Sequence, residues 1–186
     1  MNRCKWCLNV NQWYLEYHDN EWGRVNKEDK YLFEMLILES FQAGLSWKCV
    51  LDKRDNFKRA YDNFDIDKVV NYDQDKINEL LNNDGIIKNK LKIKYSIINA
   101  KIFKSIQKEF GSFYKYLCSF SNGNIIYEVG KTTNDLSDRI SSDLMKRGMK
   151  FVGSTIIYSY LQAIGIINSH EEYCDLYKKF WISELF

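Results

Sequence analysis

Apolar residues recur at helical spacing over most of the chain. From Lys30 to Lys53 they fall three and four residues apart, with Gly44 as an interruption, which predicts one or two buried helices. The segment from Asp65 to Tyr72 is typical of a short helix, because an aspartate can cap the first turn. Strand-like alternation is confined to the stretch from Asn124 to Val129. The pattern therefore predicts a mostly α-helical protein.

The middle and the end of the chain continue this periodicity between turns. A helix ending near Leu81 is followed by the turn Asn82–Gly85 and then by a second helix, so a helix–turn–helix is predicted there. Further helices are predicted from Ser137 to Met149 and, as an apolar core helix, from Phe151 to Ile167. Because no linker, repeat or low-complexity segment interrupts the pattern, we expect residues 1–186 to form one unit.

The charge balance and the cysteine count narrow the function. The 27 Lys and Arg against 25 Asp and Glu leave a net charge of +2, so a nucleic acid can be bound only if positive charge gathers on one face. No apolar run approaches the ~20 residues of a membrane helix, and the first residues lack the apolar core of a signal peptide. We therefore expect a cytoplasmic protein whose five cysteines are free thiols, available for a metal ion or for the core.

Both histidines of the chain lie near cysteine in sequence. His170 and Cys174 are four residues apart, so one helical face or wide turn can bring both to one ion. Cys4 precedes His18 by 14 residues, which is enough for the chain to fold back. Such a Cys₂His₂ set would be a closed, structural zinc site joining the two ends of the chain. Cys7 competes with His18 for the fourth position, because it forms a C-x₂-C pair with Cys4, and spacing alone does not separate them.

Aromatic residues are concentrated near the start of the chain, where four of the five tryptophans lie within the first 47 residues. A densely aromatic core would explain them, and so would a pocket that stacks a flat ring. Glu39 favours the pocket, because a carboxylate inside an apolar helical stretch is costly unless it is paired or functional. A surface position beside a lysine is the alternative. Aromatic rings combined with one hydrogen-bond acceptor suit a flipped nucleobase.

The turn around Gly85 has the features of a phosphate site. The helix after it begins near Lys88 and Lys90, with Lys92 and Lys94 close behind. Free N–H groups at a helix start, reinforced by lysines, bind phosphate without reading the base sequence. A solvated basic face would explain the same lysines equally well. The turn is therefore a candidate anchor for a duplex.

Two long and unusual strings stand out, YHDNEWG at residues 17–23 and QAGLSW at residues 42–47. With Cys4-Lys5-Trp6, Gly85-Ile86-Ile87 and residues 146–155, they occur in the same order in the constitutive 3-methyladenine DNA glycosylase I family, which the chain resembles over nearly its whole length. The resemblance implies a helix-hairpin-helix DNA glycosylase fold. In that fold a zinc site joins the terminal segments 1–20 and 165–180 around a helical core, with the hairpin near residues 80–95.

The resemblance also implies roles for individual residues. It chooses His18 over Cys7 as a zinc ligand. The four implied ligands are Cys4, His18, His170 and Cys174. It gives Glu39 the catalytic role at the polar edge of the adenine, beside five aromatic pocket residues: Tyr17, Trp47, Trp6, Tyr14 and Trp22. DNA is contacted by a loop inserted where the base leaves the duplex and by the hairpin: Gln42, Gly44, Leu45, Gly85, Ile87, Lys88 and Lys90.

The implied activity is the release of 3-methyladenine from alkylated double-stranded DNA, which leaves an abasic site. The resemblance implies neither a lysine Schiff base nor a catalytic role for Asp135, Asp138 or Asp143. We expect a monomer, and the alternative function is a zinc-stabilised DNA-binding module without catalysis. The sequence departs from the family pattern in two places. Leu91 occupies a hairpin position where glycine is expected, and the chain beyond Cys174 is unlike the family.

Overall fold

The computed structural model describes residues 1–177, which are mostly α-helical, as the sequence predicts. The last part of the predicted zinc-binding segment, residues 178–180, lies outside this range. The described helices and strands are α1 Gln12–Asn20, α2 Asp29–Gln42, α3 Trp47–Leu51, α4 Arg54–Ala60, α5 Ile66–Val69, α6 Gln74–Leu81, α7 Lys90–Phe110, α8 Phe113–Ser121, β1 Ile126–Tyr127, α9 Asp135–Lys146, α10 Ser154–Ala163 and β2 Ile167–Asn168. Within residues 1–177, no helix is both long and apolar enough to cross a membrane.

Helix α2 forms the centre of the core. Every residue from Leu32 to Phe41 is buried, which agrees with a sequence that is apolar on nearly all sides. The helix packs against α7, α8 and α10. It ends at the predicted interruption, where Gly44 has a φ of +79° that favours glycine, and the Ser46 side chain then caps α3. The prediction of one or two buried helices is therefore confirmed by α2, with the short, partly buried α3 as the second helix.

The predicted helix–turn–helix is formed by α6 and α7. Helix α7 begins at Lys90, slightly later than predicted, because the side chain of Asn89 accepts hydrogen bonds from the N–H groups of Leu91 and Lys92. Its 21 residues run along the core, and several of its apolar side chains are fully buried. The turn that precedes α7 is thus held at a fixed place on the surface.

The core helix predicted from Phe151 to Ile167 is wrong at both ends. Helix α10 covers only Ser154 to Ala163. Gly165 then turns the chain with a φ of +81°, and a Cβ atom there would lie 2.1 Å from the backbone of Arg24. The apolar run continues as β2, which pairs in parallel with β1, itself inside the predicted strand region. A short apolar run does not distinguish a buried helix from a buried strand.

Strand β2 returns the chain to its N-terminal segment. The residues after it run alongside the start of the chain, where the Asp175 N–H donates to the carbonyl of Asn2 at 3.0 Å. In return, the Asn2 N–H donates to the Asp175 carboxylate at 2.9 Å. This contact brings together residues that are 173 positions apart and sets up the cluster described below.

Candidate active site and metal centre

Two buried carboxylates on α2 differ in their partners. Glu34 accepts a hydrogen bond from Arg54 Nε at 2.6 Å and lies 3.4 Å from Lys58 Nζ. Glu39 is 2% exposed, and its Oε2 has no hydrogen-bond partner among the described residues. Burial raises the pKa of Glu39 well above its ordinary value. Glu39 is therefore not a lysine-paired surface residue, and a buried carboxyl group without a partner is typical of a functional site.

Glu39 lies in the wall of a cavity of about 410 Å³. The other residues predicted for the base pocket line the same cavity: Trp6, Tyr14, Tyr17, Trp22 and Trp47. The ring centroids of Tyr17 and Trp47 are 5.9 Å apart, and Trp6 meets Trp22 edge-on at 4.9 Å. The aromatic side chains thus form a wall of contacting rings, and the cavity beside them is large enough for a flat aromatic ligand.

Local structure explains how these rings reach the cavity. Tyr14 and Tyr17 are three residues apart on α1, so they share a face, and their parallel rings lie 6.3 Å apart. Trp47 is the first residue of α3, whose start is fixed by Ser46. The motif at residues 42–47 therefore ends α2 and begins α3, and it places Trp47 in the cavity wall.

The polar groups of the cavity suit a cation that carries hydrogen-bond donors. The Tyr17 hydroxyl and Gln42 Oε1 are buried and, like Glu39 Oε2, have no hydrogen-bond partner in residues 1–177. Burial raises the pKa of Tyr17 well above its ordinary value, so its hydroxyl stays neutral. Neither Lys nor Arg is found among the described residues that line the cavity. Electron-rich ring faces and a carboxyl group without a cationic neighbour favour a positively charged ligand.

Several cavity residues received no site role from the sequence: Val129, Gly130, Ser159, Gln162, Ser169 and Glu171. Ser159 and Gln162 lie three residues apart on α10, and Gln162 Nε2 donates to Ser169 Oγ at 2.7 Å. The sequence indicates a site role for Ser159 and Gln162 only through the family resemblance, which includes α10, and for Ser169 only through its position before His170. Nothing in the local sequence marks the loop after β1, because it reaches the cavity only through the pairing of β1 with β2.

Four buried side chains from the two ends of the described chain converge at one point: Cys4, His18, His170 and Cys174. Their ligand atoms all lie within 4.8 Å of one another. His170 Nδ1 is 3.5 Å from Cys4 Sγ and 3.6 Å from Cys174 Sγ, which is in turn 3.8 Å from His18 Nε2. Tetrahedral zinc would hold sulfur and nitrogen ligands about 3.6 Å apart. The cluster therefore has the dimensions to hold such a metal ion.

Cys7 is buried beside this cluster but does not belong to it. Its Sγ donates to the carbonyl oxygen of Cys4 at 3.1 Å, and it is not among the converging side chains. The geometry therefore favours His18 as the fourth member, which spacing alone left open.

Each histidine of the cluster is oriented by its second ring nitrogen. His18 Nδ1 lies 2.8 Å from the carboxylate of Asp19, which also accepts hydrogen bonds from Arg3. His170 Nε2 lies 3.1 Å from the carbonyl oxygen of Trp22. Such outer partners fix the ring orientation and leave the other nitrogen free to bind a metal.

Burial adjusts the protonation of the cluster. It lowers the pKa of His170 to about 4 and also lowers that of His18, so both imidazoles are neutral near pH 7. It raises the pKa of the Cys4 thiol to about 12, so this thiol ionises near neutral pH only beside a cation. Neutral imidazoles and buried thiols fit a divalent metal, and four protein ligands would leave no position for substrate.

The Cys₂His₂ cluster packs directly against the cavity wall. The His18 ring meets Trp6 edge-on at 5.2 Å, and the His170 ring meets Trp22 at 4.7 Å. Gly23 permits this approach, because a Cβ atom there would lie 2.9 Å from His170 Nε2. The two rings that line the cavity at this end are therefore supported by the cluster.

The loop after α2 joins the cavity to the surface. Gln42 lines the cavity, and its carbonyl oxygen accepts a hydrogen bond from the Leu45 N–H at 2.6 Å, which closes a tight turn. Leu45 is 42% exposed. Of the loop residues predicted to contact DNA, one thus faces the cavity, while Gly44 and Leu45 form the exposed tip.

The predicted hairpin residues differ in their surroundings. Gly85 is held by packing, since a Cβ atom there would lie 3.0 Å from Asn56 Cγ. Ile87 is half-buried against the core. Leu91, in place of the expected glycine, is exposed, and its N–H is bonded to the capping side chain of Asn89. The departure at Leu91 therefore leaves the start of α7 intact.

The lysines around the predicted hairpin differ in their exposure and in their partners. Lys88 is exposed but forms an ion pair with Asp84 of the same turn. Lys90 is exposed at the first position of α7. The interpretation of Lys92 as a further surface lysine is wrong, because this residue is buried and its Nζ donates to two backbone carbonyls. The sequence of a helix does not show whether one of its lysines is exposed to solvent or packs against the end of a neighbouring helix.

Comparison with known proteins agrees with this architecture. A family model described as methyladenine glycosylase matches residues 6–178. DNA-3-methyladenine glycosylase 1 of Escherichia coli strain K12 is 39% identical over 184 residues, which cover 95% of this chain and 97% of the relative.

Solved structures match over the same length. A crystal structure of 3-methyladenine DNA glycosylase I has a TM-score of 0.90 and 37% identity, and the match covers 95% of this chain and 100% of the other. A variant of 3-methyladenine DNA glycosylase I in complex with 3-methyladenine has a TM-score of 0.89 and 31% identity, over 94% of this chain and 97% of the other.

Proposed function

The chain belongs to the methyladenine glycosylase family, and we propose that it removes 3-methyladenine from alkylated DNA by hydrolysing the N-glycosidic bond. The observation that carries this proposal is the buried Glu39, without an ionic partner, inside a cavity walled by aromatic rings. The products are the free base and an abasic site. The reaction is the first step of base-excision repair.

The chemistry of the lesion explains why so few groups are required. Methylation at N3 makes adenine cationic and weakens its bond to the sugar. Ring faces bind a cation by about 0.5–2 kcal/mol per contact, and Glu39 adds charge balance and hydrogen bonding at the polar edge of the base. As the bond breaks, its electrons pass to N9 and the base leaves neutral. Water adds to the anomeric carbon and loses one proton to solvent.

Two features support a monofunctional enzyme. Among the described residues that line the cavity there is no lysine that could form a Schiff base with the sugar. Asp135, Asp138 and Asp143 lie outside the lining, and each accepts a hydrogen bond from a neighbouring side chain. We therefore propose that water attacks a sugar already activated by the cationic base, without a catalytic aspartate.

Duplex DNA would be held beside the cavity by the turn between α6 and α7. In this proposal the turn acts as a helix-hairpin-helix element, in which backbone N–H groups near Gly85 and Lys90 bind phosphate. The loop from Gln42 to Leu45 would enter the space that the flipped base leaves, with exposed Leu45 as the inserted side chain.

Zinc is the metal that best suits the Cys₂His₂ cluster, and its role would be structural. The four ligands would be Cys4, His18, His170 and Cys174. Four protein ligands fit a closed site with tetrahedral coordination. The ion would hold the two ends of the chain together and support the cavity wall. The reaction itself would use only the cavity residues.

The proposal is tested by chromatography of the bases that the purified protein releases from DNA treated with a simple methylating agent. We expect 3-methyladenine to be released while 7-methylguanine remains, because Glu39 would accept a hydrogen bond from the exocyclic amine of adenine, where guanine has a carbonyl oxygen. No release by folded, metal-loaded protein that still binds the DNA would favour the alternative, a zinc-stabilised binding module without catalysis.

A further inference from the structure

Lys92 is a buried cation bonded to a helix end. It is 7% exposed, and its Nζ donates to the carbonyl oxygens of Phe41 at 2.8 Å and Ala43 at 2.6 Å. No ion pair within residues 1–177 includes it, and burial lowers its pKa. The last carbonyls of a helix carry partial negative charge, so they are suitable partners for an ammonium group.

The two carbonyls that Lys92 binds lie on either side of Gln42, which lines the cavity. The exposed tip at Gly44 and Leu45 follows at once. Lys92 also belongs to the first turn of α7, where its own N–H is bonded to the Asn89 side chain at 3.1 Å. One residue therefore contacts both the loop beside the cavity and the helix start beside the hairpin.

Packing alone does not account for a lysine at this position. Burying an ammonium group is costly, and an apolar side chain of similar length would fill the same space at less cost. The loop tip itself is loosely packed, since no heavy atom lies within 4 Å of the place where a Cβ atom of Gly44 would be. The Lys92 hydrogen bonds are therefore a specific link between the end of α2 and α7.

We propose that Lys92 is a positioning residue that holds the loop from Gln42 to Leu45 in register with the α7 start. This inference rests on the proposed function. When hairpin N–H groups hold a phosphate, the Lys92 link fixes how far the loop reaches into the duplex and where the flipped base enters the cavity. Lys92 then matters for a base that must leave a duplex, and not for a free base that enters the cavity directly.

The test compares Lys92→Met with the wild-type protein, using Lys101→Met as the matched control, because Lys101 is an exposed lysine on the same helix. Three quantities are measured: the single-turnover rate of 3-methyladenine release at saturating methylated duplex, the duplex affinity, and the affinity for free 3-methyladenine followed by tryptophan fluorescence. A small misplacement of reacting groups costs about 10- to 100-fold in rate.

We expect Lys92→Met to lose at least about tenfold in the saturating rate, with both affinities within about threefold of wild type. Lys92→Arg should restore most of the rate, because a guanidinium group also donates to two acceptors. If Lys92→Met does not fold, Lys92→Gln decides, since its neutral amide retains one donor, and its rate should be intermediate.

An unchanged saturating rate in folded Lys92→Met or Lys92→Gln overturns the proposal. So does a parallel loss of free-base affinity, which would mean that Lys92 only shapes the cavity. Failure of the proposed function gives a different result, because the wild-type protein itself would then release no 3-methyladenine from the duplex.

Discussion

The cavity with its Cys₂His₂ cluster and the surface around the turn between α6 and α7, the predicted hairpin, are built by opposite means. In the cavity, buried rings contact one another, and one carboxyl group, Glu39, has no ionic partner. The hairpin surface, which we define as residues 84–91, is mostly exposed apart from the buried Ile86, and of its two lysines Lys88 is paired with Asp84 of the same turn. In the proposed function, the damaged base would therefore be recognised by a buried, preformed site, and the duplex by a solvated surface that reads no sequence.

This difference predicts that the two regions respond to different changes. Ring contacts and a buried carboxyl group are little affected by salt, whereas phosphate contacts weaken steeply as salt rises. A substitution in the cavity should therefore alter excision without altering duplex binding. A substitution on the hairpin surface should do the reverse.

The largest effect is expected for Glu39→Gln, which replaces the carboxyl group that can ionise beside a cationic base by a neutral amide of the same shape. Excision should fall about 100-fold, because the amide cannot balance the cationic base. Duplex affinity should stay within about twofold, since Glu39 is buried in the cavity wall and is not one of the groups proposed to contact phosphate. Single-turnover release and a binding titration measure the two quantities. Excision at the wild-type rate would remove Glu39 from the mechanism.

The second-largest effect is expected for Cys174→Ser, which should weaken binding of the proposed metal and lower the thermal stability of the protein. Cys174→Ser deletes one member of the cluster, and we expect the melting temperature to fall by about 10 °C, because the proposed ion would tie the two ends of the chain. Activity well below the melting temperature should fall less. Cys7→Ser is the control, since Cys7 is buried nearby but outside the cluster, and it should retain the metal. Loss of activity with an unchanged melting curve would instead indicate a catalytic metal.

The raised pKa of Glu39 gives a pH-dependent prediction. The folded protein holds this proton more tightly than the unfolded chain, so the contribution of Glu39 to stability falls as pH rises above the ordinary carboxyl value. Glu39→Gln should therefore melt like wild type at acid pH and increasingly above it as pH rises towards neutral. Thermal melts over that range measure the difference. A constant difference at every pH would mean that Glu39 has an ordinary pKa.

The smallest effects are expected from single lysines of the hairpin surface. Lys90→Gln should weaken duplex binding about threefold and lower the salt slope by about one, because it removes one proposed phosphate contact. Lys88→Gln should do less, since Asp84 already pairs with Lys88. Neither change should affect binding of free 3-methyladenine. Binding titrations at several salt concentrations measure these slopes, and equal losses for both lysines would contradict the proposed geometry.

The sequence predicts what depends on neighbours within one or two turns. The break at Gly44 and the cap at Asp65 follow from local backbone chemistry, and the structure has both. For the converging set from Cys4 to Cys174, spacing predicted three members but left Cys7 and His18 as alternatives for the remaining position, and only the family resemblance chose His18.

What the sequence does not predict depends on chain segments that meet only in the fold. The apolar run through Gly165 becomes a turn and a strand because β1 is available as a partner. Lys92 is buried because the end of α2 lies beside it, although its sequence neighbours are surface lysines. Val129 reaches the cavity for the same kind of reason.

The central claim, that the cavity recognises the damaged base independently of the hairpin surface, is tested most directly by salt. Affinities for free 3-methyladenine and for methylated duplex are measured side by side between about 50 and 200 mM salt. We predict that free-base affinity changes by less than about twofold while duplex affinity falls at least about tenfold. If both affinities fell together, or if folded, metal-loaded protein bound no free base, the cavity would not be the independent recognition site.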